Sequence, residues 1–187
     1  RRNLYEETKS KYIINKLKIL HVTNFNERHN GRLFYNTGRR INNGLIRLNH
    51  CVLELSDRDI VSYSRKINDF NGSKNLNKKF IDIVNNYKPD LIIFGHADLI
   101  NIESLKYVKE TFPNIKMSQW FLDRMDSEWK NNKKRFLDKI NYVDCSFCTT
   151  SPDILKFPKK NRVFYIPNPA DNSFENLNID SKKYFKN

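Results

Sequence analysis

Residues 88–98 read KPDLIIFGHAD, and the fold turns on how that stretch is read. Tyr87-Lys88-Pro89-Asp90 interrupts a helical pattern, because proline has no N–H to donate and biases the residue before it away from helix. Leu91-Ile92-Ile93-Phe94 then runs apolar without alternation, the pattern of a strand covered on both faces in the middle of a parallel sheet. The run stops at Gly95-His96-Ala97-Asp98, a glycine followed by two ionisable side chains. In open parallel sheets ligands bind beyond the carboxyl ends of the strands, so this end is the first place to look for function. The plain alternative is that Gly95 makes a turn and that His96 and Asp98 are solvated loop residues.

Working outward, strand and helix signals alternate on both sides of this stretch. Residues 17–23 (LKILHVT) predict a first strand, with His21 read as a structural histidine inside it. A polar loop of fourteen residues, 24–37, follows, and loops of that length in compact domains are usually functional or mobile. A helix is expected over 38–48, with Ile41, Leu45 and Leu48 as its buried stripe, Arg39, Arg40 and Arg47 off it, and Gly44 allowing close helix–sheet contact. Residues 51–56 (CVLELS) predict a less buried strand, and 57–75 read as a variable loop. Helices are expected over 76–87, over 101–112 with Asn101 as N-cap, over 126–140, and briefly over 152–157. Strands are expected over 115–122, 142–149 and 163–166. Pro167-Asn168-Pro169 cannot continue a sheet. The alternation predicts an α/β domain over 17–171, a Rossmann-like parallel sheet flanked by helices. Residues 1–16 form an N-terminal segment, read as a short helix over 3–16, and 172–187 a linker or tail.

Bulk properties narrow the function classes. With 187 residues, 39% hydrophobic, the chain has enough for one packed domain. No apolar run approaches the roughly 20 residues that span a bilayer. Residues 1–16 lack the apolar centre of a secretory signal, so a cytoplasmic location is expected, with peripheral contact at the inner membrane face as an option. The net charge of +13 fits an anionic partner or a Lys-rich composition bias; its lysines are spread along the chain, which argues against a dedicated nucleic-acid surface. Lys130, Lys133, Lys134 and Arg135 form a basic helix face that reads as solvated. Cys145 and Cys148 have CxxC spacing but lie in a strand, without a second pair to complete a metal site. With Cys51 they read as reduced, mostly buried residues. No metal site and no cofactor is expected.

The chemistry-bearing residues gather at predicted strand ends. They are Asn24 with the Gly31-Arg32 loop, His96 and Asp98, Trp120 and Asp123, and Thr150-Ser151. The glycine-rich dinucleotide fingerprint, the Walker motif, the nucleophile elbow and HExxH are all missing. An aromatic ring with carboxylates and a histidine suits a sugar: the ring stacks on CH faces, carboxylates accept from hydroxyls, and an oriented histidine takes a hydroxyl proton.

KILHVTNF (18–25) followed by INNGLIRLNHCV (41–52) resembles the opening of GT-B glycosyltransferases, which pair two Rossmann-like domains. Gly44-Leu45-Ile46-Arg47-Leu48-Asn49-His50 matches a "GLxRxGH" pattern, with Asn49 where glycine is usual. KPDLIIFGHAD, QWFLD (119–123), VDCSFCTTSPD (143–153) and VFYIPNPAD (163–171) are similar to the group 1 branch related to the spore-maturation CgeB type. The resemblance implies an acceptor-side domain of an enzyme that moves a sugar, without a metal, from a nucleotide-sugar donor to a sugar or polysaccharide hydroxyl. The donor-gripping second domain and its acidic sugar-binding motif are not in these residues, so this piece alone is expected to be inactive. The resemblance implies His96 as general base with Asp98 or Asp123 orienting it, Trp120 as a stacking wall, and Arg32 towards the donor phosphates. The rival reading is a non-catalytic, flavodoxin-like ligand-binding or regulatory module; a third is a basic nucleic-acid binder.

Overall fold

The computed structural model describes residues 15–65 and 69–175. The helix expected over 3–16 falls outside them, except for its last two positions, as does the tail after 175.

Six strands form one sheet: Lys18–Thr23 (β1), Cys51–Ser56 (β2), Leu91–Gly95 (β3), Lys116–Phe121 (β4), Cys145–Cys148 (β5) and Val163–Tyr165 (β6). Every pairing is parallel, in the order β2-β1-β3-β4-β5-β6. Parallel neighbours need crossovers, and helices supply them. They are Thr37–Arg47 (α1), Asp57–Ser64 (α2), Ser73–Tyr87 (α3), Ile102–Thr111 (α4), Lys130–Ile140 (α5) and Pro152–Leu155 (α6), with Asn172–Glu175 (α7) after the last strand. The expected α/β architecture is what the chain adopts. β3, the strand of the opening stretch, lies inside the sheet between β1 and β4. β2 is an edge, which explains its weaker apolar run.

The order of the first five strands is the flavodoxin-like one rather than 3-2-1-4-5-6. The chain steps outward from β1 to β2, then returns to the other side of β1 as β3. That reversal opens a crevice at the carboxyl ends of β1 and β3.

One core cluster joins Leu20 and Val22 of β1 and Ile92 and Phe94 of β3 to Leu76, Phe80 and Val84 of α3 and Leu105 and Val108 of α4. A smaller one joins Phe121 and Cys148 to Phe136 and Ile140 of α5 and Leu155 of α6. The Asn101 side chain accepts from Ser104 N–H at 2.8 Å, capping α4 as its sequence predicts.

Several local expectations need correction. Residues 57–75 are not simply a loop: α2 starts directly after β2 and α3 starts at Ser73. Asp57 and Asp59 in the first turn suit the positive end of the helix dipole, while Val61 and Ile60 alone face the core. A helix with so short an apolar stripe leaves no periodicity to detect. α5 starts at Lys130 rather than 126, leaving Trp129 exposed as its N-cap residue. In α1 the buried positions are Gly38 and Asn42, while Leu48 is exposed. Gly44 meets nothing within 4 Å of an added Cβ; Gly38 makes the close contact, where a Cβ would lie 2.7 Å from Thr23 Cγ2. Cys51 is exposed, not buried, and all three cysteines are free thiols. Asn49 takes φ 68°, and asparagine tolerates this left-handed region better than most residues other than glycine.

The segment after β6 is docked rather than trailing. From β6 back to β1 is four strand spacings, about 19 Å, a distance six extended residues cover. Asp171 is buried against α1, where Arg47 grips it with Nη2–Oδ1 at 2.8 Å and Nη1–Oδ2 at 3.0 Å, and Asn43 donates at 3.0 Å. Those hydrogen bonds hold its carboxyl far below the ordinary range despite burial. Arg40 pairs with Glu175 at 2.8 Å, and Phe174 packs on Tyr35 at 4.9 Å.

The two glycine environments make opposite predictions in urea unfolding. Gly95→Ala puts a Cβ 2.0 Å from Trp120 Cζ2, and overpacking of this kind should cost about 3 kcal/mol. Gly44→Ala, with open space and a helical backbone, should add about 0.5–1 kcal/mol.

Candidate functional site

The crevice at the strand-order reversal is a real cleft of about 450 Å³. Its floor is Thr23, Gly95 and Trp120, the carboxyl ends of β1, β3 and β4. The Trp120 indole lies over Gly95, and only a residue without Cβ fits beneath it. Its Nε1–H donates to His21 Nε2 at 3.3 Å. His21 Nδ1 is 3.3 Å from Asn42 Oδ1, so the neutral ring carries its proton on Nδ1 and accepts on Nε2. Burial drives the His21 pKa down to about 4, with Arg39 also lowering it and the Asn42 hydrogen bond pulling it up. His21 is thus a structural support for the tryptophan, and Trp120, only 5% exposed, has little surface left for stacking on a ligand.

Past Gly95 the chain turns through two left-handed residues, His96 at φ 60° and Ala97 at φ 41°. Gly95 itself is strand, so the turn that its glycine seemed to announce is made by its neighbours. Non-glycine residues pay about 1–3 kcal/mol for such backbone, and here the result is to swing the imidazole over the cleft. His96 stacks on Phe121 at 4.3 Å and meets Trp120 edge-on at 5.5 Å. Its Nδ1 faces Asp123 Oδ2 at 3.6 Å and Arg135 Nη2 at 3.4 Å. With Nδ1–H towards Asp123, Nε2 is a free base; with Nδ1 accepting from Arg135, Nε2–H is a donor. Burial lowers the His96 pKa, as do Arg135 and Arg58, and Asp123 and Asp98 oppose them only in part. The lowered pKa favours the neutral ring at physiological pH.

Asp98 behaves as a counter-ion. Arg135 contacts its Oδ2 at 2.5 Å, Arg58 lies at 3.7 Å, and Lys139 reaches its Oδ1 at 3.7 Å. Burial raises the Asp98 carboxyl, but the Arg135 hydrogen bond and the surrounding cations bring it below its ordinary value. Lys139 is a buried lysine whose pKa falls through that burial, only partly restored by Asp98. Asp123, half exposed, bonds Arg135 Nη1 at 3.3 Å and is the carboxylate left beside His96.

The structure therefore brings His96, Asp123, Trp120 and Asn24 to the cleft, while Asp98 lies outside its lining and is tied to it through Arg135. Asn24 lines the cleft but its side chain is engaged, donating to Asn26 Oδ1 at 2.8 Å and accepting from Arg28 at 3.1 Å. Gly31 and Arg32 are exposed and outside the cleft lining. Thr150 and Ser151 also lie outside it, at the start of α6. The fourteen-residue loop is fastened by buried Asp59, which accepts from Glu27 N–H at 2.8 Å and from Arg28 Nη1 at 2.6 Å. Burial raises that carboxyl, and hydrogen bonds from Ser56, Glu27 and Arg28 outweigh it and hold it low.

Five cleft residues went unread as such in the sequence: Asp57 and Arg58 at the start of α2, Arg135 on α5, and Thr37 and Gly38 at the start of α1. Asn36 caps α1 through Arg39 N–H at 2.9 Å, and the first N–H groups of a helix have no intrahelical partner. The signal for α2 was local, a Ser-Asp-x-Asp start straight after a strand. Arg135 sits among lysines and nothing in its own neighbourhood marks it. Lys130, Lys133 and Lys134 instead rim a separate groove of about 630 Å³ floored by Met125, Leu137 and Leu155.

Among the described residues no group of three or more His, Cys, Asp or Glu side chains is placed to hold a metal ion, and no helix is long and apolar enough to cross a membrane. No protein-family model, no curated protein and no solved structure matches the chain.

The buried His21 gives a signed pH dependence. Below pH 6.5 the unfolded chain takes up a proton that folded His21 refuses until pH approaches 4. Stability should therefore fall across that window, by up to about 3 kcal/mol from this residue. His21→Gln should flatten that slope in urea titrations at pH 7, 5.5 and 4.5.

Proposed function

We propose that this chain is the acceptor-side domain of a nucleotide-sugar-dependent glycosyltransferase, with the cleft holding the acceptor hydroxyl. The observation that carries the reading is the placement of His96 Nδ1 3.6 Å from Asp123 Oδ2 at the carboxyl end of an inner strand, beside the strand-order reversal where ligands bind in such sheets. Around them the cleft is rich in amides and hydroxyls rather than apolar walls, which suits a polyhydroxylated ligand.

In the tautomer with Nδ1–H facing Asp123, Nε2 takes the acceptor hydroxyl proton. The freed oxygen bonds to the anomeric carbon as the bond from that carbon to the diphosphate oxygen breaks, and the nucleoside diphosphate leaves with the electron pair. Asp123 offsets the imidazolium charge that develops. Arg58 and the N-terminal N–H groups of α1 provide positive potential on the cleft rim for the donor phosphates, a role the sequence had given to Arg32. On this reading the nucleotide would be held by a second domain of the kind that GT-B glycosyltransferases carry. The lysine-rimmed groove beside Leu137 and Ile154 is the face on which contact with an anionic membrane surface fits this reading.

Turnover of a panel of nucleotide sugars by the full-length protein tests the proposal. His96→Ala should lower kcat at least about a hundredfold with donor affinity nearly unchanged, and Asp123→Asn should lower kcat with a smaller effect. The kcat profile should rise with pH through a limb below 6.5, since burial lowers the His96 pKa. Unchanged turnover in His96→Ala removes this residue from the mechanism. Ligand binding with no turnover of any donor would favour a non-catalytic binding module instead.

A further inference from the structure

The groove beside α5 carries charge where a helix ordinarily disfavours it. Lys130, Lys133 and Lys134 stand on the first turns of α5 and rim the groove. The positive end of a helix dipole favours acidic side chains, yet this first turn has none, and the N-cap residue Trp129 makes no side-chain cap. The acids nearby are engaged elsewhere: Asp126, which also lines the groove, and Glu128 both pair with Arg124. Lys134 has Asp138 at 3.5 Å. Lys133 reaches the Leu155 carbonyl at 3.5 Å and lies over the Phe157 ring. Lys130 is exposed and has no ion pair among the described residues. Beyond the lysines the groove is apolar. Met125 and Leu155 are buried in it, and Leu137 and Ile154 are 38% and 70% exposed. Lys130, Lys133, Lys134 and Leu137 share one helix face. From Lys130 to Leu137 the helix rises about 10 Å, so charge gathers at one end of the groove and apolar surface at the other.

We propose that this groove seats one anionic lipid, with its phosphate on Lys130, Lys133 and the positive end of α5 and its acyl chain along Met125, Leu137 and Ile154. The site lies outside the His96 cleft and does not depend on the transferase reading. It goes beyond contact with a charged surface, because a flat bilayer face cannot fill a concave groove of about 630 Å³, whereas a single chain can. Two observations favour a lipid over an acidic peptide. The rim cations are all lysines, point charges that serve a phosphate, and none offers the planar fork that pairs bidentately with a peptide carboxylate. The aromatic ring at the charged end is the exposed Trp129, in a hollow that shares Ser127 and Lys130 with the groove, and tryptophan settles at the level of lipid head groups.

Amide NMR titration of the chain with octyl phosphate, below its micelle concentration, tests the assignment. We expect saturable shifts in the first turn of α5 and at Ile154 and Leu155. Hexyl phosphate should bind about tenfold more weakly, the loss of two buried methylenes. Inorganic phosphate and octanol, the head and the chain alone, should each bind at least tenfold more weakly than octyl phosphate. Lys130→Gln and Ile154→Ser, both at exposed positions, should each weaken octyl phosphate several-fold. Lys130→Gln should melt no lower than wild type, since it removes a cation from the positive end of a helix. The chain should co-sediment with phosphatidylglycerol vesicles and not with phosphatidylcholine vesicles, and Ile154→Ser should lose most of that binding. Equal affinity for inorganic phosphate and octyl phosphate would leave an anion site only and overturn the assignment. Equal affinity for octanol would leave a plain apolar groove and overturn it too. Undiminished vesicle binding by Ile154→Ser would mean surface charge alone. An acidic amphipathic peptide that shifts these amides where octyl phosphate does not would give the groove to a protein partner. A lower melting temperature in Lys130→Gln would make that lysine a structural support and remove it from the head-group site.

Discussion

The close approach of Trp120 to Gly95 is the contact on which the site and much of the sheet's carboxyl edge depend. A Cβ at position 95 would meet the indole at 2.0 Å and Thr23 Oγ1 at 2.5 Å. Only because none is there can β1, β3 and β4 end flush with one another. The indole is then fixed by its hydrogen bond to His21, which is itself fixed by Asn42 of α1. With the ring lying across the end of β3, the chain has to leave at a steep angle, and it does so through the left-handed pair His96 and Ala97. The geometry that presents His96 is thus set by packing two residues deep, in His21 and Asn42, which lie outside the cleft lining.

A second constraint is electrostatic. Three cations, Arg58, Arg135 and Lys139, converge on one carboxylate, Asp98. Burying a lysine such as Lys139 is costly unless it is paired, and Asp98 is the partner nearest to it. The same carboxylate holds the Arg135 guanidinium against the His96 ring. One acid thus ties α2, α5 and the end of β3 together and keeps a positive charge beside the imidazole, which helps to hold it neutral. Removing Asp98 would disturb His96 through its neighbours, an effect easily mistaken for a direct chemical role.

The sheet was legible in the sequence because its signal is long-range composition: apolar runs at 17–23, 88–94 and 115–122 separated by helical periodicity. The inner position of β3, the cap at Asn101 and the structural role of His21 all followed from single stretches. What escaped detection was short or depended on distant partners. α2 has only Ile60 and Val61 on its core side, so its eight residues look like loop. Gly38 and Gly44 both lie in α1 and are indistinguishable by spacing; only the position of Thr23 decides which one is in contact. The positions of His96 and Asp123 at the cleft could be read because each follows the end of a strand, whereas Asp98, after the same strand as His96, lies outside the cleft lining. Arg135, Arg58 and Asp57 begin helices or lie along them, where charged residues are ordinarily solvated and no local pattern marks an exception. Arg32, Thr150 and Ser151 show the converse: position after a strand is not enough when the loop carries the side chain away.

The distribution of unfavourable features points the same way as the residue chemistry. Most left-handed non-glycine residues sit where turns or helix ends ask for them, at Asn26, Asn30, Asn49, Lys88, Lys156 and Arg162. His96 and Ala97 differ in being consecutive and buried or half-buried at the end of an inner strand. Asp57, whose buried Oδ1 has no hydrogen-bond partner, is among the residues lining the same cleft. Backbone strain and an unsatisfied buried acid each lower stability by amounts that are large beside the 5–15 kcal/mol a domain typically has. A fold built only for stability would scatter or remove them. Their convergence on one 450 Å³ cleft, framed by two helix N-termini and the strand-order reversal, is what a binding site requires: groups held ready, in geometry and in hydrogen-bonding capacity, for something that is not the protein itself.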